Sequence, residues 1–269
     1  MNDVNQPPTY KEEVAQYTKK DAIYALLFFV AIMLLSIVPI LPTGQIPNLV
    51  YTIVFLVALF VFLKKKGQGL RSVGIHLMDW KKVFAVGLFF VVLLLMLFNG
   101  LLPGLLGGWQ MQPASVVIGL AALTLIQAFF EDIFHIGYIQ TRIYGLVKND
   151  YLAVFIGAVI FAIPHFPWQI RMAIASDGGL GFDFISNLAF LTLFWIVMHV
   201  FMNIIFRNLR SIIPVTLFHF TWNFTLFGHL WYGDFGDYTN MISVSIALGS
   251  ILLVVWVILP FLKKRKTAK

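Results

Sequence analysis

Residues 115–146, SVVIGLAALTLIQAFFEDIFHIGYIQTRIYGL, decide how this chain is read. The stretch contains no proline, and its only glycines are Gly119, Gly137 and Gly145. A helix over it is roughly 48 Å long at 1.5 Å per residue, enough to cross the roughly 30 Å apolar core of a bilayer. Near its middle stand two adjacent acids, Glu131 and Asp132. An acidic side chain at such depth costs about 2.5–3.5 kcal/mol on insertion scales, so it faces a protein interior or a wet cavity and reads as functional.

The remaining sequence has the composition of a lipid-embedded protein. Of 269 residues, 60% are hydrophobic and 12% are charged, and the mean hydropathy is +0.88. Soluble domains carry about 25% charge, which excludes a water-soluble globular reading. There is no cysteine, so disulfides, thiolate metal sites and thiol nucleophiles are excluded as well. Stretches without Asp, Glu, Lys or Arg run 22–63, 83–130, 151–170, 184–206, 211–233 and 238–262. Each reaches the roughly 20 residues that a crossing needs. The turn composition of Pro42-Thr43-Gly44-Gln45 splits the first stretch, and Asn99-Gly100 with the run from Pro103 to Pro113 splits the second. The expected spans are 23–41, 47–63, 83–102, 115 onward, 151–170, 184–206, 212–228 and 241–262. The fold class is therefore an all-α polytopic membrane bundle of about eight transmembrane helices. A polar tail, 1–22, precedes the transmembrane domain 23–262, and a basic tail, 263–269, follows it.

Counting Lys and Arg in short loops orients such a bundle. With eight spans, eighteen of the nineteen bases fall on the face that holds both termini, and only Arg171 falls on the other. Both termini are thus expected in the cytoplasm, and the net charge of +7 reports topology, not nucleic-acid binding. The first twenty residues lack the basic start and short apolar core of a cleaved signal. They are expected to form a loose tail with a short amphipathic helix. The basic segment 64–82 is expected to lie as a helix on the membrane surface.

Three further polar groups fall at comparable depth. His165 follows Pro164, roughly 21 Å along a helix starting at Tyr151. His219 and Asn223 stand four apart on one helical face. A single intramembrane site can collect Glu131, Asp132, His165, His219 and Asn223. Such a set suits hydrolysis. A carboxylate drawn out of water becomes a better base near neutral pH, and a neighbouring histidine shares and orients a water. A second histidine and an amide can donate to a developing oxyanion. Glu131, His165 and His219 are equally candidate Zn²⁺ ligands, because catalytic zinc takes three protein ligands and a water. His135, four residues beyond Glu131, is a supporting candidate. His76 and His229 fall in expected loops and His199 in a phenylalanine-rich span, and all three are read as structural.

The order and spacing of these residues resemble the CPBP family, which joins type II CAAX prenyl endopeptidases to bacterial bacteriocin-processing and self-immunity (Abi) proteins. Its signature is Glu-Glu-x-x-x-Arg, then Phe-x-x-x-His, then His-x-x-x-Asn. This chain has Glu131-Asp132, then Phe161 to His165, then His219 to Asn223, so the similarity covers 115–228. The resemblance implies an intramembrane endopeptidase, of the glutamate or the metalloprotease type, that opens toward the cytosol. Glu131 and His165 would activate water, and His219 and Asn223 would stabilise the oxyanion. Prenylated CAAX proteins or bacterial peptide precursors would be substrates, in the plasma membrane of a bacterium and among its lipids. Ile136 stands where the motif has arginine. Its loss raises a second reading, a non-catalytic scaffold or self-immunity protein. Midplane carboxylates also mark proton-coupled transporters, a third reading weakened because no broken pair of spans recurs.

Overall fold

The computed structural model describes residues 10–37, 45–76, 79–96, 110–167, 169–170, 181–226 and 231–232. The described chain is helical apart from one two-residue antiparallel ladder, Gln110–Met111 with Trp231–Tyr232. Its helices are α1 (Tyr10–Ala15), α2 (Lys19–Ile37), α3 (Gln45–Lys65), α4 (Trp80–Leu95), α5 (Ala114–Asp132), α6 (Thr141–Val147), α7 (Asp150–Ala162), α8 (Phe182–Leu209) and α9 (Ile213–Leu226). A π-helical stretch, Ile133–Gln140, joins α5 to α6. These helices lie on seven of the eight stretches expected as spans, and the eighth, 241–262, lies outside the described residues. Among the described residues, Ala114–Val147 and Phe184–Leu209 are long and apolar enough to cross a membrane.

Local sequence sets the connections. Asn149 caps α7 by accepting the Leu152 backbone N–H at 3.0 Å. Lys148 and Arg210, with φ of 51° and 57°, turn the chain out of α6 and α8. The short turns that result keep α7 against α6 and α9 against α8. Helix α9 also packs on α4 and α5, α8 packs on α7, and α2 packs on α6. The interior between α4, α8 and α9 is aromatic, built from Phe90, Phe201, Phe218 and Trp222. Large apolar side chains such as Leu27, Leu34, Val57, Leu88 and Ile118 point outward, as a lipid-facing surface requires.

Two expectations are corrected. Segment 64–82 is not one surface helix. It ends α3, makes a 3₁₀ turn at Leu70–Val73 and starts α4 at Trp80. Gly74, with φ of +81°, takes a left-handed conformation that glycine adopts without steric cost and closes that turn. The stretch after residue 9 is not a loose tail, because Tyr10, Val14 and Tyr17 are buried and Glu13 pairs with Arg210 at the end of α8.

The entry to α2 is a reciprocal cap. The Thr18 backbone N–H and hydroxyl donate to Asp21 at 2.9 and 2.7 Å, and the Asp21 N–H donates back to the Thr18 hydroxyl at 3.3 Å. Asp21 lies ahead of the apolar span. Partial burial pushes its carboxyl up, but the two Thr18 donors, with Lys66 and Arg142 nearby, hold it below the usual carboxylate range. A folded-state value below the unfolded one stabilises at pH above the unfolded value, and that contribution is lost as pH falls through the folded value. Asp21→Asn is therefore expected to destabilise by about 1 kcal/mol at pH 7. In paired thermal unfolding scans of wild type and variant, the gap closes as pH falls through the folded-state value of the Asp21 carboxyl.

Candidate active site

The acidic pair sits where α5 gives way to the π-helical stretch, a local unwinding that recurs at functional sites. All eight residues of that stretch are buried. Its ladder is offset from the α pattern, and the Thr141 hydroxyl takes up freed carbonyls at Gly137 (2.8 Å) and Tyr138 (3.0 Å). Arg142, fully buried, donates to the Gly137 and Ser72 carbonyls at 2.9 Å each, to Gln68 Oε1 at 2.8 Å and to the Ser72 hydroxyl at 3.0 Å. Its guanidinium also lies over the Tyr17 and Tyr138 rings, 4.3 and 4.7 Å from their centroids. It thereby ties the π-helical stretch to the 3₁₀ turn.

Asp132 is fully buried and faces α9, where His219 Nδ1–H donates to its Oδ1 at 2.9 Å. Thr216, one turn before His219, lies beside the same carboxylate. With Nδ1 held by Asp132, the His219 Nε2 is aimed at Glu131, whose Oε2 is 3.9 Å away. Glu131 is partly exposed, and its Oε1 accepts from the Gln127 amide at 2.8 Å. One histidine thus bridges the gap between two adjacent carboxylates, bonded to one and facing the other.

His165 comes from the 3₁₀ turn Ile163–His165 that Pro164 helps to form at the end of α7. Its Nδ1–H donates to the Phe161 carbonyl at 3.1 Å, which leaves Nε2 as the acceptor. Trp195 of α8 stacks on the ring, with centroids 4.2 Å apart and planes 21° apart, and fixes its tilt. Glu131, His165 and His219 are close enough to interact electrostatically. The Phe161 ring is the common wall, with centroids 5.3 Å from His135, 5.3 Å from His165, 5.1 Å from His199 and 6.0 Å from His219.

The candidates separate accordingly. Glu131, Asp132, His165 and His219 converge. Asn223 is half-buried one turn beyond His219 and makes no hydrogen bond among the described residues. His135 is buried near the site, but its ring rests on Phe29, Phe134 and Phe161 and its Nδ1 has no partner among the described residues. It therefore does not bond a carboxylate. Ile136 is fully buried, packed where the family motif carries a charge. His199, read from the sequence as structural, lies against Phe161. Its signal was available in the four-residue spacing of His199, Asn203 and Arg207 along α8.

As for Zn²⁺, no three His, Asp or Glu side chains among the described residues are arranged to hold a metal. The expected ligand set Glu131, His165 and His219 is thus not preformed.

Comparison with known proteins adds one finding. Residues 113–225 match the family model of the type II CAAX prenyl endopeptidase Rce1-like proteins. Neither a curated protein nor a solved structure matches the chain. Residues 113–225, which carry every one of these side chains, are thus an Rce1-like domain of the CPBP membrane-peptidase family.

Proposed function

We propose that the chain is an intramembrane endopeptidase that hydrolyses a peptide bond with a water activated by Glu131 and His165. The observation that carries this reading is the Asp132–His219–Glu131 arrangement, bonded at 2.9 Å on one side and open at 3.9 Å on the other. Glu131, which is partly exposed, takes the proton from water, and the free His165 Nε2 orients that water. The hydroxide adds to the scissile carbonyl. His219, as imidazolium with its Nδ1–H given to Asp132, donates from Nε2 to the oxyanion, and the Asn223 amide is the second donor. Collapse of the tetrahedral intermediate sends the Glu131 proton to the departing amine. Donors fixed in advance act on the charge as it develops, and Asp132 serves as the positioning residue for His219.

In this reading the bundle has eight spans, both termini lie in the cytoplasm of a bacterial cell, and the substrate enters from that side. The substrate is a prenylated CAAX-type protein or a peptide precursor. Purified protein in detergent is to be given a library of both kinds, prenylated and bare, beside Glu131→Ala and His165→Ala. The expected result is cleavage at a defined bond by wild type alone. Equal background turnover by all three folded proteins refutes it.

A second reading, a non-catalytic scaffold or self-immunity protein, is favoured by Ile136, which fills the arginine position of the motif with a buried apolar side chain. It predicts that Glu131→Ala and His165→Ala leave the cellular phenotype intact, whereas changes on the lipid-facing or loop surface abolish it.

A further inference from the structure

Behind the proposed site lies a second set of polar side chains that the hydrolysis does not use. His199, Asn203 and Arg207 follow one another at four-residue steps on α8, one face of a helix over roughly 12 Å. Gln140, from the π-helical stretch, and Tyr10, from α1, close the line from the other side. His199 and Gln140 are fully buried, and Asn203 and Tyr10 are 1% and 6% exposed.

The line has a definite geometry. His199 Nε2 meets Gln140 Oε1 at 3.5 Å, and the pair is seated on the bare backbone of α7. A Cβ on Gly157 would stand 1.8 Å from Gln140 Oε1 and 3.3 Å from His199 Nε2, so no larger residue fits while the pair is in place. At the inner end, the His199 ring rests 5.1 Å from Phe161, the ring shared with His165 and His219. At the outer end, the Tyr10 hydroxyl lies beside Gln140, and its ring carries the Arg207 and Arg210 guanidiniums, each 5.2 Å away. Arg207 pairs with Asp150, and both are partly exposed. Burial, with the Asp150 charge acting the same way, pushes the Tyr10 hydroxyl up, so it stays a neutral donor.

Yet this line is unfinished by protein atoms. Among the described residues, His199 Nδ1 and both amide atoms of Asn203 have no hydrogen-bond partner, and Gln140 Nε2 and the Tyr10 hydroxyl have none but each other. Leaving such groups unpaired in an apolar interior is costly, and native proteins satisfy them with ordered water when side chains do not.

We propose that Tyr10, Gln140, His199 and Asn203 bind a file of internal waters that links the cytoplasmic rim at Arg207 and Asp150 to the Phe161 side of the catalytic pocket. The file delivers water, the co-substrate of hydrolysis, by a route other than the one the substrate occupies. Its purpose rests on the peptidase reading, but its existence does not.

The test is hydroxyl-radical footprinting of the full chain in nanodiscs, which labels buried side chains beside bound water. Labelling of His199 and Phe161 is expected several-fold above that of Phe218, an equally buried core ring. It should be lost from His199 in Asn203→Leu/Gln140→Leu, with Phe218 unchanged. Labelling of His199 and Phe161 no greater than that of Phe218 in the wild type overturns the proposal, and this reading needs no variant to fold. Persistence of the wild-type pattern in the folded double variant overturns it too. A wild type that shows the labelling but cleaves no peptide refutes the peptidase reading and leaves the water file standing.

Discussion

Glu131→Gln is expected to lower the rate of bond cleavage by about 10²–10⁴-fold, the range that a positioned general base supplies, and to leave the fold intact. Its Oε1 already accepts from the Gln127 amide and its Oε2 faces His219, so the amide retains the shape of the site but cannot take a proton. Asp132→Asn acts differently. The buried carboxylate holds the His219 Nδ1–H at 2.9 Å, and an uncharged asparagine amide no longer supports the imidazolium, so a neutral ring cannot both give Nδ1–H to residue 132 and donate from Nε2. A loss in kcat of about 10²-fold with little change in KM is expected from misaligned oxyanion donation. Because the two carboxylates act on one histidine, the double variant should be little slower than Glu131→Gln alone. Independent, multiplicative losses in kcat would mean that the carboxylates do not share His219.

The second large effect is on stability. Arg142→Leu removes five donor contacts from a fully buried position, among them those to the Ser72 and Gly137 carbonyls and the Gln68 amide. It leaves those acceptors without their donors, and a loss of about 3–5 kcal/mol is expected. Thermal unfolding in detergent should register it as a midpoint lower by about 10 °C. Arg142→Lys retains the charge but offers no planar fork and should fall between. A leucine variant within about 2 °C of wild type would remove Arg142 from its role in holding the π-helical stretch.

Much of this was legible in the residues themselves. Gaps between charges marked the helices, since lipid admits no unpaired charge at depth, and Glu131-Asp132 stood out because they break that rule. The spacing from Phe161 to His165 and from His219 to Asn223 placed further polar groups at matching depth, and the structure brings His165 and His219 to the acidic pair. Arg142 shows where such reading stops. Counting bases places it among surface charges, but it is fully buried on neutral acceptors, and a count cannot report the tertiary contacts of a single side chain. The π-helical turn was hidden for a related reason. Ile133–Gln140 has no proline and ordinary helical composition, and the offset in its ladder is held by Arg142 and Thr141 from the next helix. His199 was masked by its apolar neighbours, because one histidine in a phenylalanine-rich span has no spacing signal until Asn203 and Arg207 are counted with it.

The central claim is that Glu131 performs chemistry on a bound peptide within the membrane. Single-turnover cleavage with enzyme in excess addresses it most directly, because product release then cannot mask the chemical step. Cleavage should proceed with wild type and all but disappear with Glu131→Gln of equal thermal stability. Equal single-turnover rates for the two proteins would contradict the assignment.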